Sequence, residues 1–211
     1  MSESATILYV PGTWHGPECF NRVITRLESA NYKTDKFHSY GGLPTNEAIH
    51  GLDIQIRQRN GLKGGVTRLL LCCSFFIAEG HSLISAFGEN DLPWFRVSDD
   101  RLEANVATPK KIFCNDCDDT QIERSCASFR PHSYRTFHSP CTYAAWRDVP
   151  STYLYCSQNA AIPFAMQKMM VEERARGHDF VTETVDASHS PFFSKPDEVA
   201  ASIRRAVGEV I

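Results

Sequence analysis

Three stretches carry residue types that can do chemistry. In Phe37-His38-Ser39-Tyr40-Gly41-Gly42 a serine stands just ahead of a helical pattern with two glycines behind it. A serine held on a sharp strand-to-helix turn presents its hydroxyl as a nucleophile, although the first glycine of the usual G-x-S-x-G form is here Phe37. In Asp186-Ala187-Ser188-His189-Ser190-Pro191-Phe192 a histidine comes after a strand pattern and precedes the last helix, a place from which imidazole can serve as general base. The third stretch, Val10-Pro11-Gly12-Thr13-Trp14-His15, is a tight turn opening the first helix, whose backbone N–H groups can face a developing negative charge. Each also reads as an ordinary glycine turn or a structural histidine. The order of the residues favours chemistry, because sheets that carry such a turn supply serine first, acid next and histidine last along the chain.

The elements that must position these residues are set by periodicity. Ala5–Val10 is a β-rich run stopped by Pro11-Gly12, and Phe20, Val23, Ile24 and Leu27 then keep the i, i+3, i+4, i+7 spacing of an amphipathic helix. Helical spacing returns over Pro44–Ile56, at Ala48, Ile49, Leu52 and Ile56. Val66–Ala78 is apolar without alternation, as expected of a strand covered on both faces in a mostly parallel sheet. Ser151–Cys156 and Phe180–Val185 are further strands, each succeeded by a helix, Pro163 to about Arg176 and Pro196 to Val210. Alternating strands and helices predict an α/β fold, a mostly parallel sheet with flanking helices in one domain over 1–211. The stretch from about 79 to 146 has no sustained period and is expected to be a cap inserted over the sheet edge. Its aromatics, among them Phe87, Trp94, Phe95, Phe113, Tyr134, Tyr143 and Trp146, suit an apolar pocket or the packing of cap on sheet.

Composition narrows the function classes. The 211 residues are 42% apolar and carry 22 basic against 25 acidic groups, a formal charge of -3, so one core can be buried and no basic footprint for nucleic acid exists. No apolar run approaches the roughly 20 residues of a membrane span. Met1-Ser2-Glu3-Ser4 leads into a short apolar segment with no basic flank, so a cytoplasmic protein without a secretory signal is expected. The eight cysteines are then expected to be free thiols, with Cys72, Cys73 and Cys156 packing as small hydrophobes in apolar runs. A rival reading takes Cys114, Cys117, His132 and His138, in the spacing C-x2-C, 14 residues, H-x5-H, as a zinc site that would hold an interaction module together. Cys114 and Cys117 also read as a redox pair, but outside the strand-to-helix setting that such pairs occupy.

The sequence resembles the alpha/beta-hydrolase superfamily, and within it the esterase-like small fungal and bacterial hydrolases distantly similar to plant methylesterases and hydroxynitrile lyases. The resemblance rests on Val10-Pro-Gly-Thr-Trp-His15, His38-Ser-Tyr-Gly-Gly42, Arg130-Pro-His-Ser-Tyr134, Tyr143-Ala-Ala-Trp146, Val149-Pro-Ser-Thr-Tyr153 leading to Ala161-Ile-Pro163, and His189-Ser-Pro-Phe192 with Lys195-Pro-Asp-Glu-Val-Ala200. It implies Ser39 as nucleophile, His189 as general base, and the N–H groups of Thr13 and Tyr40 as oxyanion hole. The family's acid position, in Cys156-Ser-Gln-Asn159-Ala-Ala-Ile-Pro163, holds Asn159; an amide orients a histidine but cannot stabilise the imidazolium. Glu79, after the Val66–Ala78 run, is the alternative acid. Against the family pattern one βαβ unit is missing. Such a unit needs about 30 residues, yet Ser39 comes only nine residues after the helix end near Ala30, and Thr34-Asp35-Lys36 suits a buried central strand poorly. A shortened paralogue and an incorrectly joined gene would both have that length. The implied activity is cleavage of an ester or lactone in a small apolar metabolite, within fungal secondary metabolism, with no cofactor or metal and no partner beyond that small-molecule substrate. A catalytically inactive hydrolase fold that binds a small ligand or a partner is the alternative, favoured by the missing acid and the missing unit.

Overall fold

The computed structural model describes residues 5–36, 41–127 and 129–211. Phe37, His38, Ser39 and Tyr40, the expected nucleophile turn, lie outside the described residues. Strand β1 (Thr6–Tyr9) runs through the Pro11–His15 turn into helix α1 (Asn21–Ser29), and the chain returns as β2 (Lys33–Lys36), parallel to β1 with Thr6 opposite Lys33. Thr34-Asp35-Lys36 therefore forms an edge, with three of the four β2 residues exposed. The single helix expected over Pro44–Ile56 is two, α2 (Gly42–Ala48) and α3 (Ile54–Arg59). They are separated where Gly51 takes a φ of 71° and Asp53 caps α3 through a 2.9 Å bond from the Ile56 N–H.

Strand β3 (Leu69–Cys72) uses four residues of the Val66–Ala78 run. The run ends as a strand at Cys73, whose φ of 36° lies in the left-handed region. The insertion comes next, with helix α4 (Leu83–Ala86), strands β4 (Phe95–Val97) and β5 (Glu103–Val106), helices α5 (Pro109–Phe113) and α6 (Asp119–Ala127), and strand β6 (His132–Ser133). It contains an antiparallel sheet of order β4-β5-β6, hidden from a periodicity reading by strands of two to four residues. Beyond it lie β7 (Ser151–Cys156), α7 (Phe164–Arg174), β8 (Phe180–Val185), α8 (Pro191–Ser194) and α9 (Pro196–Ala206), with β7 and β8 at the limits the sequence predicts.

The parallel strands form two hydrogen-bonded pieces among the described residues, β1-β2 and β3-β7-β8. Apolar packing joins them. Strand β7 is buried at all six positions, and its alternation sends Tyr153 and Tyr155 to one face and Leu154 and Cys156 to the other. On the second face Val23 and Leu27 of α1 and Val199, Ala200 and Ile203 of α9 pack with Tyr9, Cys73 and Val185. Arg26 of α1 also pairs with Asp197 of α9, but Asp197 is mostly exposed, and such pairs contribute under about 1 kcal/mol. A fully buried leucine contributes about 2 kcal/mol or more, so apolar contact dominates this junction. The first face carries the larger core, in which Leu69, Leu71, Tyr153 and Met170 meet the tilted Phe76 and Trp146 rings, whose centroids lie 4.5 Å apart.

The turn after β1 is clamped from the cap. Trp14 donates its indole N–H to the Ala104 carbonyl at 2.8 Å, and its own carbonyl accepts the Arg130 N–H at 3.1 Å. His15 is buried, with Nδ1 3.0 Å from the Thr13 carbonyl and Nε2 3.3 Å from the Ser190 hydroxyl. A donating Nδ1–H leaves Nε2 to accept from Ser190. Burial pushes His15 down to about 4.

This packing sets measurable stability effects. Leu27→Ala, at a fully buried position, is expected to cost about 2–5 kcal/mol in urea unfolding, against near-neutrality if α1 were loosely docked. Because the folded-state pKa of His15 lies below its unfolded value near 6.5, the unfolded chain binds the proton first as pH falls. Stability is therefore expected to decline from pH 6.5 towards 4 by about 3 kcal/mol through this group, and His15→Gln is expected to flatten that part of the profile. An unchanged profile in the variant would refute the assignment.

Candidate active site

His189 sits on the loop between β8 and α8, and that loop is bolted to the cap. Asp116 accepts the Ser188 N–H at 3.0 Å and the Ser194 hydroxyl at 2.6 Å, while the Ser188 hydroxyl donates to the Phe113 carbonyl at 2.9 Å. Burial raises the Asp116 carboxyl, but these bonds outweigh it and hold the group below the usual carboxylate range. At the start of the loop Asp186 accepts from the Ser157 hydroxyl at 2.6 Å and from Gln158 at 2.9 Å. The half-buried His189 ring lies over Phe113 with centroids 5.0 Å apart.

The ring's polar neighbour is a thiol. Cys73 Sγ lies 3.8 Å from His189 Nδ1 and donates to the His189 carbonyl at 3.2 Å. With the thiol hydrogen committed to the carbonyl, the sulfur can accept Nδ1–H, the tautomer that leaves Nε2 free to take a proton. Burial, with a smaller contribution from nearby His15, pushes the imidazole down to about 3, so the ring is neutral at pH 7.

Gly41 and Gly42, the first described residues after the expected nucleophile turn, lie in close quarters. Gly41 has a φ of 88°, and a Cβ there would come within 3.0 Å of Gly12 Cα. At Gly42 a Cβ would collide with Ser74 Oγ and come within 3.3 Å of the Phe75 carbonyl. The left-handed φ at Gly41 requires glycine, and at Gly42 a side chain would have to displace the Ser74 hydroxyl. The start of α2 is thereby pressed between the Pro11–His15 turn, which contains Thr13, and the residues just after Cys73. Thr45 holds the Gly41 carbonyl through its N–H at 3.1 Å and its hydroxyl at 2.8 Å.

The two residues expected in the acid's place are occupied elsewhere. Asn159 is buried, and its Oδ1 accepts the N–H groups of Ala161 and Ile162, each at 2.9 Å, while Nδ2 has no hydrogen-bond partner. Gln167 braces the same loop, accepting the Cys156 N–H at 3.1 Å and donating to the carbonyls of Cys156 at 3.0 Å and Ile162 at 2.7 Å. Glu79 accepts the Ala144 N–H at 3.0 Å and pairs with Arg147 at 3.0 Å, engagements that tie the insertion's two ends. The structure therefore sets Gly41 and Gly42 between the Gly12 turn and Ser74, next to the Cys73 that meets His189, and does not bond either Asn159 or Glu79 to the histidine.

Cys114, Cys117, His132 and His138 are not gathered into a metal site; among the described residues the group of three or more potential ligands that does converge is Cys72, Cys73 and Cys156. His132 bonds the Thr136 hydroxyl at 2.8 Å instead. Sequence reasoning missed the part played by Cys73 and Asp116, the first because its apolar run reads as strand interior and the second because it lies inside the C-x2-C spacing. A surface groove of about 290 Å³ lined by Leu154, Glu183, Lys195 and Arg205 includes none of the site residues. No helix among the described residues is long and apolar enough to cross a membrane.

Comparison with known proteins agrees with this architecture. An alpha/beta hydrolase of Aspergillus novofumigatus, nvfD, is 25% identical over an alignment of 247 residues that covers 97% of each chain. That alignment is longer than the 211 residues of this chain, so the relative carries residues that this chain lacks. Polyneuridine aldehyde esterase superposes with a TM-score of 0.69 at 16% identity, over 97% of this chain and 99% of its own. The Arabidopsis methylesterase MES16 does so with 0.69 at 14%, over 96% and 98%. The profile of the alpha/beta hydrolase family matches residues 38–202, most of the sheet and the whole of the cap, and the chain belongs to that family.

Proposed function

We propose that this chain is a serine hydrolase that cleaves an ester or lactone bond in a small apolar metabolite. The observation that carries the reading is the glycine contact: Gly41 and Gly42 press the turn after Ser39 against Gly12 on one side and Ser74 on the other, and Cys73, next to Ser74, touches His189. Ser39 Oγ would add to the substrate carbonyl as His189 Nε2 takes its proton, and the N–H groups of Thr13 and Tyr40 would hold the oxyanion. His189 then returns the proton to the leaving alkoxide, and water, deprotonated by the same nitrogen, releases the acyl group. The names of relatives, a hydrolase, an esterase and a methylesterase, support ester chemistry, and the aromatic cap supports an apolar acyl or alcohol group.

The weak point of the machinery is the partner of the histidine. A neutral sulfur or amide orients the ring, whereas a carboxylate also stabilises the imidazolium, and the loss of that charge costs about 10⁴ in a serine protease. Basal turnover of an aryl ester is accordingly expected to be slow, and to vanish in Ser39→Ala and His189→Ala. Asn159→Asp keeps an oxygen for the Ala161 and Ile162 N–H groups and replaces the unpartnered Nδ2 by a second, anionic oxygen. It is expected to raise the rate about 100-fold, equivalent to roughly 2.7 kcal/mol of barrier. Turnover unaffected by Ser39→Ala would overturn the reading. No turnover in any form, Asn159→Asp included, would return the chain to the ligand-binding class.

The pH dependence gives an independent check. Because the pKa of His189 is lowered, to about 3, the base is lost only as pH falls through that depressed value. The acid limb of kcat/KM is expected to lie well below 6.5; a midpoint at or above 6.5 would contradict the neutral histidine.

A further inference from the structure

The strand ends beside His189 hold more soft ligand atoms than the hydrolase chemistry uses. The Sγ atoms of Cys72, Cys73 and Cys156 lie within 4.8 Å of one another, and none is in a disulfide. Successive residues of a strand point to opposite faces, so a vicinal pair such as Cys72 and Cys73 would ordinarily diverge. The left-handed φ of 36° at Cys73 turns the chain at the end of β3 and lets both sulfurs approach the third. Cys156 ends the neighbouring strand β7, its N–H and carbonyl both held by Gln167, so the third sulfur stands on a braced backbone. His189 Nδ1, 3.8 Å from Cys73 Sγ, adds a nitrogen at the edge of the group. No carboxylate belongs to the cluster.

We infer that these residues form a binding site for one thiophilic d10 cation of the Zn²⁺ type, with Cys72, Cys73 and Cys156 as thiolate ligands and His189 Nδ1 as the nitrogen ligand. Tetrahedral zinc with Zn–S bonds of about 2.3 Å sets its sulfurs about 3.8 Å apart, so gathering the three sulfurs takes side-chain shifts of about 1 Å and no rebuilding of the strands, while His189 Nδ1, outside the 4.8 Å group, has further to move. The donor set selects against Mg²⁺ and Ca²⁺, which take oxygen ligands. Binding releases three protons, one from each thiol, and leaves a Zn²⁺–tris-thiolate–imidazole unit with a net charge of -1. Cys72 is half-buried, which gives an ion a way in. A metal on Nδ1 forces the remaining hydrogen onto Nε2, so the loaded form cannot use His189 as a base. Metal binding itself does not depend on the hydrolase reading.

The test uses the full chain, purified under reductant and loaded with Co²⁺ as a spectroscopic substitute and with Zn²⁺ for elemental analysis. Expected are one ion per chain and a thiolate-to-cobalt charge-transfer band, with affinity about 100-fold or more lower in Cys156→Ser, beyond the 10- to 100-fold carried by outer-shell partners. Cys72→Ser, at the half-buried position, supplies the same comparison should Cys156→Ser not fold. Cys114→Ser with Cys117→Ser is expected to leave the band unchanged, and His189→Ala to keep the charge-transfer band while altering the ligand-field spectrum. Absence of the band in the wild-type chain, its survival in Cys72→Ser and Cys156→Ser, or its loss in the Cys114/Cys117 variant would overturn the site.

Discussion

The arrangement depends on a close approach of backbones that only glycine permits. Gly41, at a left-handed φ, sits where a Cβ would come within 3.0 Å of Gly12 Cα, and Gly42 where a Cβ would collide with the Ser74 hydroxyl. They join at a single point two pieces of parallel sheet that share no ladder among the described residues. Strand pairing would normally set the distance between the turn after β1 and the end of β3. Here that distance is set by contact at these glycines and by the core of α1, α9 and the strand ends. The Thr13 turn, the helix after Ser39 and the loop bearing His189 consequently share one small region.

Around this point polar groups serve structure before chemistry. Asp116, the carboxylate fastened to the His189 loop, uses its charge on Ser188 and Ser194. Glu79 uses its own on Arg147 and the Ala144 N–H. Asn159 caps the turn at Ala161 and Ile162. His189 is thus a neutral imidazole with a neutral sulfur beside it. Such a site can orient a proton transfer but supplies little charge stabilisation to the imidazolium. The same sulfur, with its two neighbours, supplies the donors of a soft cation site, so one ring stands between two chemistries that exclude each other.

Part of the fold was legible in the sequence because the inner strands β3 and β7 are largely buried and read as apolar runs, as Ser151–Cys156 does. Helix α1 was legible by period, and α7 and α9 as the helices that succeed the last two strands. The limits of reading lay where a single dihedral decides. Nothing in Leu70-Leu71-Cys72-Cys73-Ser74 marks Cys73 as the residue that leaves the strand, and a continuous helical period across Pro44–Ile56 hid the break at Gly51. The glycines behind Ser39 were readable as a turn because Gly41 takes a left-handed φ that glycine adopts without strain. The meeting of Cys72 and Cys73 with Cys156 was not legible, since it is made by the pairing of β3 with β7 across more than 80 residues of chain. The short second strand with its exposed Thr34-Asp35-Lys36 was correctly poor as a central strand: it is an edge.

The proposed delivery of Ser39 to His189 and Thr13 is tested most directly by the crystal structure of the chain after treatment with a small alkyl fluorophosphonate. The expected result is a phosphonyl group on Ser39 Oγ, with its oxygen about 3 Å from the Thr13 N–H and His189 Nε2 facing the Ser39 oxygen. Phosphorus bound to another serine, or Ser39 unmodified and remote from His189, would contradict it.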